Sequence, residues 1–273
     1  MGVVYAILDT DFTSKLHMTK NASGVPLIDH LLKLPYKFSC HEQIVKELAV
    51  HNNSALTWLQ QKIDSEKVTC YTDEAIFHCI KSSFKISSLD AKNMFLDYLR
   101  QSCDVYSKSF YTTYYSALER VGVTKSEESL FQMIAECDEA IGRHNNLGEI
   151  KDSFLLLVLS QITGDKVFQF CSDDKVARRH IIRYNLDDEL KINCISAFGF
   201  FYIGKVKGLF MEPEAREYLQ SWMSFNPGNC NITIETNTDR IQPDFPKESA
   251  SDIFKKIWND TMHLGADGFL QYR

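Results

Sequence analysis

The first residues of the chain form a short apolar run, at positions 3–8, that ends on Asp9 and Asp11. Because this run is short, rich in β-branched and aromatic residues and apolar at successive positions, it predicts a strand buried inside a parallel sheet. In open α/β sheets, ligands bind beyond the carboxyl ends of the strands. A carboxylate at that point is costly unless a cation or N–H donors neutralise it. Asp9 is therefore either a functional acid or the N-cap of the following helix.

A second apolar run, at positions 166–171, also stops on acids, in the order Ser172, Asp173, Asp174. It predicts a second core strand whose end could lie beside Asp9. A strongly apolar helix is predicted over 146–159, and it carries Glu149 and Asp152 in its first turn, three residues apart on one face. Acids near a helix N-terminus also suit the helix dipole, so their presence alone does not establish a site.

The predicted fold class is α/β, with a parallel sheet flanked by helices in three layers. Further strands are expected at 36–39, 68–71 and 192–195, with helices between them, and one of these helices (41–48) carries Glu47. A spacing of Ser39 to Glu42 predicts a capping box at its start. Residues 72–145 show only helical periodicity and are expected to form an inserted helical subdomain. The predicted domains are residues 1–225, containing this insertion, and a C-terminal extension, 226–273, with a strand and an amphipathic helix over 249–263.

The bulk composition narrows the classes of function. The chain has 273 residues, 44% of them hydrophobic, and a formal net charge of −6, which argues against a general nucleic-acid coat protein. Its eight cysteines form no Cys-x-x-Cys pair, so neither a zinc site nor a redox motif is indicated. No stretch is long and apolar enough to cross a membrane. We expect an intracellular, cytoplasmic protein whose cysteines are reduced.

A basic helix is predicted over 174–184, directly after the second pair of acids. Its four candidate phosphate-binding residues are Lys175, Arg178, Arg179 and Arg183. Each phosphate contact would add to the salt dependence of nucleic-acid binding. A solvated helix face explains the same residues equally well. The aromatic residues between 106 and 115 are likewise expected to pack between helices, with base stacking as the alternative.

These motifs, taken in order, resemble the PIN-domain family of metal-dependent nucleases. The matching segments are Leu8-Asp9-Thr10-Asp11, Glu47 on an early helix, the helix start Gly148-Glu149-x-x-Asp152-x-x-Leu155, and Ser172-Asp173-Asp174-Lys175-x-Ala177-Arg178. The segment 195–209 also looks like the closing strand and helix of one PIN subgroup. The resemblance covers about residues 1–65 and 145–225, and each motif is short.

The resemblance implies acids gathered at one edge of the sheet around one or two Mg²⁺ or Mn²⁺ ions. Carried over residue by residue, the catalytic metal ligands are Asp9, Glu47, Asp152 and Asp174. Glu149 and Asp173 stand close enough in sequence to share or replace the last two. Thr10 and Ser172 match hydroxyl positions that orient the acids, whereas Asp11 departs from the Asn or Ser usual there. Carboxylates without His or Cys suit these hard cations.

The activity implied is metal-dependent hydrolysis of phosphodiester bonds, in RNA more than in DNA. Such proteins often act as toxins restrained by a partner, or as nuclease subunits of defence or processing complexes. The insertion and the extension could dock a protein partner or a second copy. Two alternatives remain open: a non-catalytic PIN-like scaffold, and a phosphatase-like enzyme with Asp9 as nucleophile and Asp11 as acid–base.

Overall fold

Five parallel strands form the central sheet of the protein, in a computed structural model that describes residues 3–106, 126–141, 147–181, 190–226, 229–231 and 247–273. The strands are β1 (Val4–Leu8), β2 (Tyr36–His41), β3 (Val68–Tyr71), β4 (Val167–Cys171) and β5 (Lys191–Ile195). Their order across the sheet is β3-β2-β1-β4-β5. The expectation of an α/β fold built on a parallel sheet is confirmed.

The strand order places a topological switch point between β1 and β4. From β1 the chain proceeds outward to β2 and β3, then returns to the other side of β1 with β4 and β5. A crevice forms at such a point because the connections from the two strands leave in opposite directions. Leu8 and Cys171 are register partners, so Asp9 and Ser172 leave the sheet side by side.

Helices cover both faces of the sheet. In chain order they are α1 (Thr10–Met18), α2 (Leu27–Leu31), α3 (Glu42–His51), α4 (Asn53–Asp64), α5 (Asp73–Phe84), α6 (Ser88–Tyr106), α7 (Glu127–Ile141), α8 (Leu147–Thr163), α9 (Lys175–Ile181), α10 (Ala197–Lys207), α11 (Glu212–Phe225) and α12 (Ala250–Trp258). Alternation along β1 separates two cores, because Ala6 and Leu8 point to one face and Tyr5 and Ile7 to the other.

One core lies between the sheet and helices α1 to α4 and α10 to α12. The other lies between the sheet and helices α5 to α9. Phe95 of α6 meets Phe154 of α8 edge-on, with ring centroids 4.8 Å apart. Helices α5, α6 and α7, which belong to the predicted insertion, thus share a core with the strands. Residues 107–125 and 142–145 of the predicted insertion lie outside the described part of the chain.

The C-terminal segment packs against both the sheet edge and the first core. Helix α12 ends at Trp258, earlier than predicted, and Asp260 takes a left-handed conformation with φ 59° as the chain turns. The strands β8 (Met262–Leu264) and β9 (Leu270–Tyr272) then form a hairpin, and β6 (Asn229–Asn231) pairs with β7 (Lys247–Ser249). In the hairpin loop, the carbonyl of Asp267 accepts a hydrogen bond of 2.7 Å from the backbone N–H of Cys194, so the loop covers edge strand β5.

Two local expectations are corrected by the structure. Ser39 is buried in β2, so it does not cap α3; the ring of His41 does, with Nδ1 accepting from the N–H of Gln43 at 3.1 Å. Helix α8 begins at Leu147, which places Glu149 in its first turn and Asp152 in its second. Among the described helices, none has the length and apolar character to span a bilayer.

Candidate functional site

Asp9 and Ser172 meet at the switch point. The Ser172 hydroxyl donates to Asp9 Oδ2 at 2.8 Å, and the N–H of Thr10 donates to Asp9 Oδ1 at 2.7 Å. Asp9 is the N-cap of α1, and only 2% of it is exposed. It therefore both starts a helix and places a buried carboxylate at the crevice, so the capping and functional interpretations are compatible.

Glu47 comes to the same place from α3. Its Oε2 accepts a 2.5 Å hydrogen bond from the Thr10 hydroxyl, and its Oε1 accepts a 3.1 Å bond from Gln43 Nε2. The carboxylate lies against the first turn of α8 at Gly148. A Cβ at position 148 would stand 2.7 Å from Oε2 and 2.8 Å from Oε1, so any side chain there would displace the Glu47 carboxylate from its present position.

Helix α8 supplies the other two acids. Asp152 is fully buried, and its Oδ1 accepts a 3.4 Å hydrogen bond from the backbone N–H of His41. Its Oδ2 is also buried and has no hydrogen-bond partner. Glu149, one turn earlier, lines the adjoining cavity. A buried carboxylate oxygen without a partner is uncommon and points to a missing proton or cation.

The acids raise one another's pKa values. Burial raises the pKa of Asp9 well above its usual range, and the charges of Glu149, Asp11 and Glu47 raise it further, against the hydrogen bond from Ser172. For Asp152, burial acts first and Asp9 and Glu47 add to it. Burial, together with Glu47, raises the pKa of Glu149 to about 7. Proton or divalent-cation binding would relieve this concentration of negative charge.

The donor set fits a hard divalent cation. Asp9, Glu47, Glu149 and Asp152 offer carboxylate oxygens only, which Mg²⁺ and Mn²⁺ prefer. As the side chains stand, the described residues contain no group of three or more His, Cys, Asp or Glu arranged to hold a metal ion. Glu47 and Asp9 hydrogen-bond to neighbouring hydroxyl, amide and backbone groups instead. Coordination would thus require rotation of these carboxyl groups away from their present partners.

The acids Asp173 and Asp174, which follow β4, are held by local partners. Lys15 Nζ lies 3.0 Å from Asp173 Oδ2 and 2.7 Å from Asp11 Oδ2. The N–H of Ala197 donates to Asp173 Oδ1 at 3.0 Å. Asp174 Oδ1 accepts from the N–H of Ala177 at 3.1 Å, near the start of α9. Sequence analysis did not identify Lys15. Its spacing of four residues from Asp11 was the signal that could have indicated an ion pair between the two.

Arg178 does not lie on an exposed basic face. It is buried, its Nη1 donates to the carbonyl of Ser172 at 2.7 Å, and its guanidinium stands 5.7 Å from the ring centroid of Phe269. The prediction of an exposed phosphate-binding residue is corrected for Arg178, which instead supports the turn after β4. Arg179 is half-buried. The side chain of Lys175 and the whole of Arg183 lie outside the described part of the chain.

Sequence reasoning missed a buried charge network beside the acids. Lys151, fully buried on α8, lies 2.7 Å from Asp73 Oδ2 and 3.0 Å from Asp138 Oδ2. His41 Nε2 lies 3.2 Å from Asp73 Oδ1. Although burial opposes it, Lys151 and His41 hold the pKa of Asp73 well below its usual range. His41 thus links this network to Asp152 and, through Gln43, to Glu47.

A cavity of about 910 Å³ opens from the acids toward α5 and α7. Its wall includes Asp9, Asp11, Glu47 and Glu149 and, farther out, five more acids: Glu42, Asp73, Glu74, Asp138 and Glu139. Among the lining residues in the described part of the chain, Lys46 is the one lysine, and Phe131 provides an aromatic surface. The helices of the predicted insertion therefore form one wall of the cavity.

Comparisons with protein-family models, with curated proteins and with solved structures found no match for this chain. The geometry of the site is therefore the basis for assigning a function.

Proposed function

We propose that this chain is a metal-dependent endonuclease with a PIN-like fold that hydrolyses phosphodiester bonds, in RNA in preference to DNA. One observation carries the proposal: Asp9, Glu47, Glu149 and Asp152 converge at the switch point of a parallel sheet, where Asp152 Oδ2 is buried without a partner. Such a set is expensive to maintain for stability alone, because each buried carboxylate raises the pKa of its neighbours. The cost is typical of a functional site.

The residues that would hold Mg²⁺ or Mn²⁺ are Asp9, Glu47, Glu149 and Asp152. Asp174, the remaining acid of the predicted ligand set, lies at the edge of this group. When bound, one or two such ions would supply the positive charge that activates water and stabilises the leaving oxygen. Ser172 and Thr10 orient Asp9 and Glu47 through their hydroxyl groups. The N–H of His41 restrains Asp152. Asp173 is less suited to act as a ligand because Lys15 and Ala197 engage its oxygens.

The negative charge of the cavity opposes the binding of a nucleic-acid substrate. Among the described residues, nine acids and one lysine line it, so a bare phosphodiester backbone is repelled. Cations bound by Asp9, Glu47, Glu149 and Asp152 would offset part of this charge. We therefore expect divalent ions to be needed for RNA binding as well as for cleavage.

The preference for RNA, and a role as a toxin or as a nuclease subunit of a defence or processing complex, follow from the resemblance to small PIN proteins. A protein partner or a second copy would dock on helices α5 to α7 or on the C-terminal segment. These helices form part of the cavity wall, so a partner bound to them could control access to the acids.

A non-catalytic scaffold is the second candidate, and the Lys15–Asp173 ion pair favours it, since an internal cation already neutralises one acid of the motif. A phosphatase-like mechanism has no such support. In that mechanism Asp9 is the nucleophile, but both of its oxygens accept hydrogen bonds, from Ser172 and from the N–H of Thr10.

The deciding experiment measures cleavage of end-labelled single-stranded RNA and DNA with Mn²⁺, Mg²⁺ or EDTA. The proteins are the wild type, Asp9→Asn, Asp152→Asn and a control, Glu139→Gln, which changes an exposed acid on the same cavity. The proposal expects metal-dependent cutting of RNA by wild type and control, with loss of at least 100-fold in the two aspartate variants. A folded wild type that cuts neither polymer in any metal would favour the scaffold.

A further inference from the structure

Two free cysteines lie side by side on neighbouring strands. Cys40 of β2 and Cys70 of β3 are register partners in the parallel sheet, and neither is in a disulfide. Partners in a parallel ladder point to the same face, so both thiols face helices α3 and α4, and both belong to the first hydrophobic core. The sequence alone does not reveal this pair because the two cysteines are thirty positions apart.

The two thiols differ in exposure and in pKa. Cys40 is fully buried, whereas Cys70 is half-buried on β3, which is the edge strand of the sheet. The neighbouring Cys70 thiol and burial raise the pKa of Cys40, whereas the Cys40 thiol lowers the pKa of Cys70. Cys70 is therefore the thiol that meets solvent and forms a thiolate more readily.

We propose that Cys40 and Cys70 form a reversible disulfide, with a low-molecular-weight disulfide as the oxidant. The Cys70 thiolate attacks one sulfur of the small disulfide, forms a mixed disulfide and releases the first small thiol. Cys40 then loses its proton and attacks Cys70 Sγ, which releases the second small thiol. In total, two protein thiols and one small disulfide become one protein disulfide and two small thiols.

The spacing of the strands allows this bond and makes it easy to reduce. Neighbouring strands lie about 4.8 Å apart, within the Cα separation that disulfides span. Parallel Cβ vectors keep the two Cβ atoms near that same spacing, slightly wider than the roughly 3.8 Å usual in disulfides. Closing the bond draws β2 and β3 together, and the resulting strain raises its reduction potential. A disulfide of this kind suits reversible modification more than permanent stabilisation.

The modification is coupled to the acidic site through the residue after Cys40. The N–H of His41 donates to Asp152 Oδ1, and its ring caps α3, which carries Glu47. Movement of Cys40 toward β3 shifts both the N–H of His41 that binds Asp152 and the His41 ring that caps α3. We expect the oxidised protein to lose activity, a part of the inference that rests on the proposed nuclease function.

The chemical step is tested without any reference to activity. The full-length protein is incubated with oxidised glutathione, free thiols are blocked, and peptides are mapped by mass spectrometry. The inference expects a Cys40–Cys70 crosslink, a mass loss of two hydrogens and reversal by dithiothreitol. Cys79→Ser serves as the control because Cys79 is also half-buried. In Cys70→Ser the crosslink must disappear, with Cys40 remaining unmodified.

The outcomes separate this inference from the proposed function. Failure to form the Cys40–Cys70 crosslink in folded protein, or formation of glutathione adducts at Cys79 at the same rate as at Cys70, overturns the inference whatever the nuclease result. Crosslinking in a protein without nuclease activity supports the modification site and counts against the proposed function alone. If the crosslinked protein cleaves RNA at the wild-type rate, the coupling to the acidic site is wrong.

Discussion

Gly148 lies directly against the carboxylate of Glu47, so close that a Cβ at position 148 would stand 2.7 Å from Oε2. Gly148→Ala should therefore displace Glu47 from Asp152 and Glu149 without unfolding α8, since alanine favours helix more than glycine does. A displacement of about 1 Å at a catalytic group can lower a rate about 100-fold. We expect such a loss in RNA cleavage, with unchanged circular dichroism.

Gly199→Ala in α10 provides the comparison for that variant. A Cβ at position 199 would find its nearest atom, Ser196 Oγ, 3.3 Å away and outside the acidic site. Equal cleavage by Gly148→Ala and wild type would show that the position of Glu47 has no importance for the reaction.

The stability of the metal-free protein should fall as pH rises from about 4.5 to 7. Burial raises the pKa of Glu149 from a usual 4.5 to about 7, and it also raises the pKa values of Asp9 and Asp152. In that pH window the folded state retains a proton that the unfolded state has released, so the free energy of unfolding decreases with pH. Urea denaturation in EDTA at several pH values measures this slope, which should be smaller in Glu149→Gln than in Glu139→Gln.

Divalent cations should reverse this loss of stability at neutral pH. Ions that bind only the folded state add a free energy that grows with their concentration over Kd. Mn²⁺ should therefore raise the Tm of the wild type at pH 7.5 and leave that of Asp152→Asn nearly unchanged. A Tm that rises equally in both proteins would place the binding elsewhere on the chain.

Lys151 should be essential for folding stability. Its buried ammonium group lies between Asp73 and Asp138. Removal of Lys151 would leave these two largely buried carboxylates without its positive charge. Breaking a buried ion pair costs about 3–5 kcal/mol, and we expect Lys151→Met to lower the free energy of unfolding by that amount. The surface pair Lys81–Glu127 is the control, where Lys81→Met should lower the free energy of unfolding far less. Similar urea midpoints for the two variants would contradict the assignment.

Gly268 should tolerate no side chain, whereas Gly24 should tolerate one at small cost. Both have positive φ, 83° and 78°, so both carry the conformational penalty of alanine, about 1 kcal/mol. At Gly268 a Cβ would also stand 2.1 Å from the carbonyl oxygen of Cys194, whereas nothing lies within 4 Å at Gly24. Gly268→Ala should detach the hairpin loop from β5, which hydrogen exchange at Cys194 would detect. Equal protection in both variants would contradict this contact.

The parts of the fold that follow from local periodicity could be predicted from sequence. The apolar run before Asp9 and the run before Ser172 predicted two core strands ending on acids, and the register of Leu8 with Cys171 confirms that they are adjacent. The ends of the helices were harder to predict from the sequence. Ser39 satisfied a capping pattern, but burial of β2 places it in the sheet, so tertiary structure overrides the local signal.

The supporting charges of the site could not be predicted because they depend on contacts between distant segments. Lys151 and Asp73 are separated by 78 positions along the chain, and neither belongs to a motif. For Arg178 a sequence pattern was present but misleading. Its place in a basic helix favoured an exposed role, whereas the turn after β4 buries it. Composition indicates that a charge exists, but only the fold determines which partner it meets.

The proposed nuclease function depends on the binding of divalent cations by Asp9, Glu47, Glu149 and Asp152. Isothermal titration calorimetry with Mn²⁺ at pH 7.5 tests it most directly, on wild type, Asp152→Asn and the control Glu139→Gln. We predict one or two saturable sites in the wild type and the control, with affinity at least tenfold weaker in Asp152→Asn. Absence of saturable binding in folded wild type, or equal binding by all three proteins, would contradict the account.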